Sequence, residues 1–286
     1  MNETESPADA LLPAAMAERA ERIGAEKTRL DAWRLLTLAI LAGAFVAFGA
    51  MFATIAGVGA SGVLPYGLSR VVIGIVFSLG LILVIVGGAE LFTGNNLMIM
   101  AWAGGKATAR DVLRAWLIVY AGNFIGAGAT AVFVFLAGHH GDAGGAVGAA
   151  SLAVAHSKVD TAFLPALIRG VLGNVLVCLA VWLCYSARTT ADKILAIVPP
   201  IAAFVAAGFE HSVANMYLLP LALLIKSDAP TSFWVAIGSS PEAYGSLTWA
   251  TAAANMLPVT IGNIIGGTLL VGGVYWFVYL HRRRAD

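Results

Sequence analysis

The chain reads as an all-α membrane protein of six crossings, arranged as an inverted repeat whose second and fifth helices are broken. Three observations lead there. Composition is the first: of 286 residues 59% are hydrophobic and only 12% charged, with a mean hydropathy of +0.85. Soluble domains carry roughly twice that share of charge, so a water-soluble globule of this make-up is excluded. The 32 glycines suit helices that approach closely in lipid. A net charge of +1 offers no basic footprint for nucleic acid; the expected macromolecular surrounding is a lipid bilayer.

The second observation is the spacing of apolar stretches. A crossing helix needs about 20 mainly apolar residues, and such stretches lie at 35–58, 70–102, 112–137, 162–186, 194–225 and 252–280. The second and fifth are too long for one uninterrupted span, and polar residues divide each. Past Gly88 come Glu90, Thr93, Gly94, Asn95 and Asn96; past Phe209 come Glu210, His211, Ser212 and Asn215. Basic residues orient the crossings. Arg19, Arg22, Lys27, Arg29 and Arg34 precede the first, while Lys106, Arg110 and Arg114 lie between the second and third. Arg188 and Lys193 lie between the fourth and fifth, and Arg282, Arg283 and Arg284 follow the last. The opposite side offers only Arg70, Lys158 and Lys226. The positive-inside rule predicts both termini in the cytoplasm of a bacterial inner (cytoplasmic) membrane protein, as an even number of crossings requires.

Residues 34–281 thus form the expected transmembrane domain and 282–286 a cytoplasmic tail. Residues 1–33 form a cytoplasmic segment, with Leu11, Leu12, Ala15, Met16, Ile23 and Leu30 at helical spacing from Pro7 on. This predicts an amphipathic helix near the membrane surface, compatible with a gate or with a plain lead into the first span. No apolar leader precedes that span. Cys178 and Cys184, six residues apart on one helix, face different ways, so neither a disulfide nor a metal pair is expected.

The third observation is internal repetition. Gly88-Ala-Glu90-Leu-Phe-Thr-Gly-Asn95 and Gly208-Phe-Glu210-His-Ser-Val-Ala-Asn215 share G-x-E-x-x-x-x-N. Gly122-Asn123-Phe-Ile125-Gly126 of the third span answers to Gly262-Asn263-Ile-Ile265-Gly266 of the sixth. Three spans per half is odd, so the second copy enters the membrane inverted. Inverted repeats with matching broken helices are a transporter architecture, with the substrate path at the repeat interface. Non-helical backbone survives at membrane depth only against protein or a water-lined cavity, so the breaks mark the path.

Ionisable groups inside a span are costly and are functional candidates by default. His211 can hydrogen-bond a passing anion or acid, or merely tie down its loop. Thr93 can donate to an anion, pair with His211 across the pseudo-twofold axis, or cap a helix. Glu90 and Glu210 would repel an anion if exposed, so both are expected to accept hydrogen bonds from backbone N–H groups freed by the breaks. Asn95, Asn215, Asn123 and Asn263 are expected to brace the same loops. Lys158, just outside the fourth span, attracts anions or is simply solvated. Arg169 lies about two turns into that span and must be paired or snorkelling; a pore role and a reach to the interface or to a neighbouring subunit stay equally open. His139, His140, His156 and His281 lie outside the spans and form no acid–base or metal constellation, so neither an enzyme nor a cofactor is expected.

The strings AELFTGN (Ala89 to Asn95), GNVLVCLAVW (Gly173 to Trp182) and GFEHSVANM (Gly208 to Met216) together resemble the formate/nitrite transporter family. The likeness runs from the first span to the last. It implies an aquaporin-like six-helix protomer with its own pore, assembled as a homopentamer. It maps the family's central threonine onto Thr93, its central histidine onto His211, and its outer lysine onto Lys158, sixteen residues before Asn174. Two apolar constrictions would correspond to Phe77 with Phe204, and to Leu81 with Leu91 and Phe92. Arg169 falls where members differ, which bears on selectivity. The implied substrates are small monovalent anions, formate or nitrite foremost, with hydrosulfide, acetate and lactate in range, and protons as partner. Burying a charge costs far more than burying a neutral acid. The implied route therefore has Lys158 draw in the anion, which gains a proton from water or through His211 and passes as the acid. A channel alternative keeps the anion charged opposite protonated His211. The rival is an aquaporin-like neutral-solute channel, whose Asn-Pro-Ala signatures are missing from both breaks.

Overall fold

The computed structural model describes residues 10–60 and 63–281. Residues 1–9, the tail 282–286 and with it Arg282, Arg283 and Arg284 lie outside the described residues. All regular structure described is helical. Helix α1 (Pro13–Thr28) leads into the first crossing, α2 (Ala32–Gly57). The second crossing is α3 (Tyr66–Gly87), a break, a 3-10 turn (Gly94–Met98) and the short α4 (Ile99–Ala103). The third is α5 (Ala109–Leu136). Helix α6 (Ala146–Val159) precedes the fourth crossing, α7 (Phe163–Ser186). The fifth is split into α8 (Thr190–Ala206) and α9 (Ser212–Asp228). After the short α10 (Thr231–Ala236), the sixth runs as α11 (Trp249–Ile265), a π-helical stretch (Gly266–Gly273) and α12 (Val274–Tyr279).

Five of these segments are long and apolar enough to cross a membrane uninterrupted. The fifth crossing joins them as two halves of 17 residues each. The breaks are thus where the repeat strings put them, though not equally placed. The second crossing has 22 residues before its break, and only the 3-10 turn and five residues of α4 after the loop.

Local chemistry explains the ends. Asp31 caps α2 by accepting from Arg34 N–H at 3.0 Å. Thr108 with Asp111 and Thr189 with Asp192 form capping boxes at the starts of α5 and α8. Both breaks open alike. Gly88 (φ 77°) and Gly208 (φ 71°) adopt the left-handed conformation that glycine takes without a Cβ penalty. The next residue's N–H then reaches back to close the turn, Ala89 to the Val84 carbonyl at 2.9 Å and Phe209 to the Phe204 carbonyl at 3.3 Å.

The halves pack by the same rule. α2 lies against α5 and α7 against α11, each pair close enough that side chains are excluded at the crossing. A Cβ at Gly43 would run into the Asn123 carbonyl oxygen, and one at Gly126 into that of Ile40. In the second half a Cβ at Gly262 would strike the Leu167 carbonyl oxygen, and one at Gly266 that of Val171. Small residues at such crossings are how membrane helices gain contact without a hydrophobic driving force.

Two features go beyond what the sequence predicts. One face of the N-terminal helix is covered by the protein itself. The helix docks on one end of the bundle, burying Met16, Ala17, Ala20, Gly24 and Ala25 against the segment around Met98 and Ala101. The reason is in its sequence: glycine and alanines on one face fit a close helix–protein contact better than a lipid surface. The sixth span, expected as one regular helix, widens into the π stretch where it meets the second crossing's break. A Cβ at Gly267 would collide with Asn174, Asn96 and Cys178, and such π stretches cluster at functional sites.

The glycine crossings give a direct test. Gly126→Ala should cost about 1–3 kcal/mol or more by overpacking and lower the melting temperature of the detergent-solubilised protein. Gly128→Ala, where a Cβ meets nothing within 4 Å, should leave it unchanged or raise it. Equal melting of the two variants would remove the close-approach explanation.

A candidate pore between the two breaks

A broken helix at membrane depth leaves backbone groups that must find partners. One asparagine does this in each half, by the same bonds. Asn123 Oδ1 accepts from Phe92 N–H at 2.9 Å, while its Nδ2 donates to the Ala39 and Glu90 carbonyls at 2.7 and 3.0 Å. Asn263 Oδ1 accepts from Ser212 N–H at 2.9 Å, while its Nδ2 donates to the Gly170 and Glu210 carbonyls at 2.8 and 3.0 Å. The Glu90 and Glu210 N–H groups go to the Leu38 and Arg169 carbonyls, both at 3.2 Å. Each loop is stitched to the two intact spans of its own half.

The carboxylates do something other than expected. Glu90 and Glu210 accept from side chains rather than from freed backbone N–H groups; those of Glu90, Phe92, Glu210 and Ser212 go to neighbouring carbonyls and asparagines. Glu90 Oε2 accepts from Lys27 Nζ at 2.9 Å and Asn95 Nδ2 at 2.8 Å. Glu210 takes Lys158 Nζ on both oxygens at 2.9 Å and Asn215 Nδ2 at 2.7 Å. Both carboxylates are buried. Lys27 also donates to Asn95 Oδ1 at 2.9 Å, and Asn215 to Asn255 Oδ1 at 2.9 Å. Lysine, glutamate and asparagine therefore recur as a triad on each side of the membrane.

At the centre, Thr93 Oγ1 and His211 Nε2 are 2.9 Å apart and buried. His211 Nδ1 accepts from Ala214 N–H at 3.1 Å, capping α9. With Nδ1 accepting, the neutral ring carries its proton on Nε2 and donates it to Thr93. The Thr93 carbonyl is held from behind by Asn174 Nδ2 and Cys178 Sγ, each at 3.3 Å. Asn174 also donates to Asn96 Oδ1 at 2.8 Å and to the Asn263 carbonyl at 2.6 Å. One side chain thereby links the first loop to the residue that braces the second.

Two cavities flank this pair, named outer and inner after the orientation that the basic residues predict. The outer one, about 480 Å³, is lined by Phe77, Phe204, His211, Glu210, Lys158, Arg70 and Arg169 among others. The inner one is about 30 Å³ and is lined by Leu81, Leu91, Asn95 and, from α1, Ala20, Ile23, Gly24 and Lys27. The Phe77 and Phe204 rings stand 6.0 Å apart between centroids, and Phe204 is 6.0 Å from the His211 ring. Leu81 and Leu91 lie across the inner side. Phe92 differs from its expected companions. Its ring turns to Tyr120 (4.9 Å) and Trp116 (6.1 Å) instead of facing either cavity, and Trp116 Nε1 donates to the Asn95 carbonyl at 3.0 Å.

Three residues escaped the sequence reasoning. Lys27 stood in a run of cytoplasmic charges; yet it precedes α2 by the interval at which Lys158 precedes α7, Lys27 to Ala32 and Lys158 to Phe163. Extending the repeat to the helices before each half would have found it. Asn174 was visible only as a ruler for Lys158, and Asn255 carried no signal.

The chain matches the family model described as "Formate/nitrite transporter" over residues 14–277. It is 45% identical over 277 residues to the formate channel FocA of Escherichia coli (strain K12), covering 96% of this chain and 97% of that one. A solved structure described as a pentameric formate channel with formate bound superposes with a TM-score of 0.83 at 40% identity, covering 87% of this chain and 98% of that chain. An FNT family ion channel follows with a TM-score of 0.77 at 26% identity, covering 92% and 98%. Sequence, fold and the pair of matched breaks agree that this chain belongs to the formate/nitrite transporter family.

Proposed function

We propose that the protein is a channel for small monovalent anions, formate first and nitrite second, passing them between the two breaks of each protomer in a homopentamer. The carrying observation is the buried Thr93–His211 contact between an outer and an inner cavity. The relatives' printed substrate, formate, supports the same reading. No enzymatic step is needed. The inner-membrane setting with both termini in the cytoplasm rests on the distribution of basic residues described above.

In this reading Thr93 receives the histidine N–H and turns its own hydroxyl hydrogen to the passing oxygen. His211 fixes that orientation from its capping position, and its single N–H is already engaged. The proton that neutralises the anion therefore comes from water in the outer cavity, where dehydration raises the acid's pKa. The neutral acid then passes the Phe77–Phe204 rings and the leucines Leu81 and Leu91. α1 roofs the inner cavity, so passage to the cytoplasm requires that roof to shift.

Lys158 acts by offsetting Glu210, so that the outer mouth does not repel anions; Lys27 does the same for Glu90 on the inner side. Lys158→Met leaves a buried carboxylate without its cation and should lower formate uptake at least tenfold, taking the low end of a buried charged contact. The double variant Lys158→Met, Glu210→Gln should recover much of the loss. A double variant no better than the single would mean that the lysine recruits the anion directly.

The channel reading is tested by uptake into proteoliposomes of formate, nitrite, hydrosulfide and glycerol at two pH values. Formate flux that climbs at the lower pH is expected. Thr93→Val should reduce it roughly 2- to 10-fold, the worth of a hydrogen bond to a neutral acid, and His211→Phe, which leaves the Thr93 hydroxyl unoriented, should reduce it without removing its rise at the lower pH. Glycerol flux without formate flux would establish a neutral-solute channel instead.

A further inference from the structure

Three basic side chains line the outer cavity, and two of them are committed. Lys158 has both oxygens of Glu210 at 2.9 Å, so that pair adds no net charge. Arg70 gives Nη2 to the Val205 carbonyl at 2.5 Å and Nε to that of Ala206 at 3.2 Å, where the exposed end of α8 takes up part of its charge. Arg169 is different. It lines the cavity and is exposed, and among the described residues no hydrogen bond or ion pair engages its guanidinium. Its backbone is fixed, since its carbonyl accepts the Glu210 N–H at 3.2 Å. It lies in α7, about 9 Å along from Phe163 at 1.5 Å per residue.

A cation held about two turns inside a membrane helix without a protein partner is costly, and the cavity is the place from which an occupant can offset that cost. The chemistry of the occupant follows from the group. A guanidinium presents a planar fork of donors, matched to two oxygens on one central atom; a spherical anion can use only its charge. We propose that Arg169 is a specificity-determining residue, which binds planar two-oxygen anions (formate, nitrite, small carboxylates) bidentately in the outer cavity before they reach Phe77 and Phe204. The proposal rests on the anion-channel reading above and adds to it a subsite with a shape preference.

The test is initial formate uptake against concentration, using pentameric protein in proteoliposomes with Arg169→Lys and Arg169→Gln beside the unsubstituted chain. Lysine keeps the charge and loses the fork. Arg169→Lys should raise the half-saturating formate concentration roughly three- to tenfold, the worth of one hydrogen bond, at an unchanged maximal rate; Arg169→Gln should raise it further. A half-saturating concentration unchanged in Arg169→Lys overturns the proposal. So does a fall in maximal rate or pentamer yield at unchanged half-saturation, which would make the residue structural. An independent arm needs no variant: nitrite should compete with formate uptake more strongly than chloride at equal concentration, and equal competition overturns the fork. Failure of the unsubstituted chain to pass formate at all would instead sink the channel reading.

Discussion

Everything at the centre of this protein follows from the need to hydrogen-bond backbone that is not helical at membrane depth. Lipid offers no partners, and each orphaned group costs several kcal/mol. Asn123 and Asn263 supply three bonds apiece, but only because each sits where two spans nearly touch. Asn123 reaches the Ala39 carbonyl of α2, and the same approach puts its own backbone carbonyl where a Cβ on Gly43 would be. Asn263 reaches Gly170 of α7, where a Cβ would strike the Val259 carbonyl. Bracing and close packing are therefore one constraint. The glycines at the crossings are as much part of the pore as the residues lining it.

The same constraint decides where charge can go. A carboxylate beside each break is buried, and burial of an unpaired charge is prohibitive. Its lysine arrives from a helix outside the repeat's three spans, α1 on one side and α6 on the other. This makes α1 more than a leader: its Lys27 is the counter-charge of Glu90 and also lines the inner cavity. Any movement of α1 that withdraws Lys27 leaves Glu90 with Asn95 alone. Docking of the N-terminal helix and the electrostatics of the inner break are thereby coupled through one ion pair.

Much of this was legible in the sequence, and what was not had a physical reason. The two eight-residue strings with G-x-E-x-x-x-x-N announced both breaks, because a glycine turn followed by a buried acid and an amide has a fixed spacing. The Gly-Asn pairs announced the braces. The matched positions of Lys27 and Lys158 could be read from the repeat, but not their pairing with Glu90 and Glu210, which lie 63 and 52 residues away and are brought to them only by the fold. Nor could the ring of Phe92 be placed, because whether an aromatic side chain faces a pore or a neighbouring Tyr120 depends on rotamer and not on spacing. The π stretch at Gly266–Gly273 is written in glycines that suit a regular helix equally well.

The repeat also shows where symmetry had to be given up. Aligning Glu90 with Glu210 and Asn95 with Asn215 puts Thr93 opposite Val213 and His211 opposite Leu91. The polar contact between Thr93 and His211 therefore has an apolar counterpart in the pair Val213 and Leu91, both buried. A fully symmetric centre would hold two histidines and two threonines, too wet to bar an ion, or none, too dry to orient an acid. One polar contact with apolar side chains at the mirror positions gives a passing molecule a single hydrogen-bonding point inside an otherwise apolar throat. That arrangement fits the passage as a neutral acid proposed above, and it needs sequence divergence only at the positions the braces leave free.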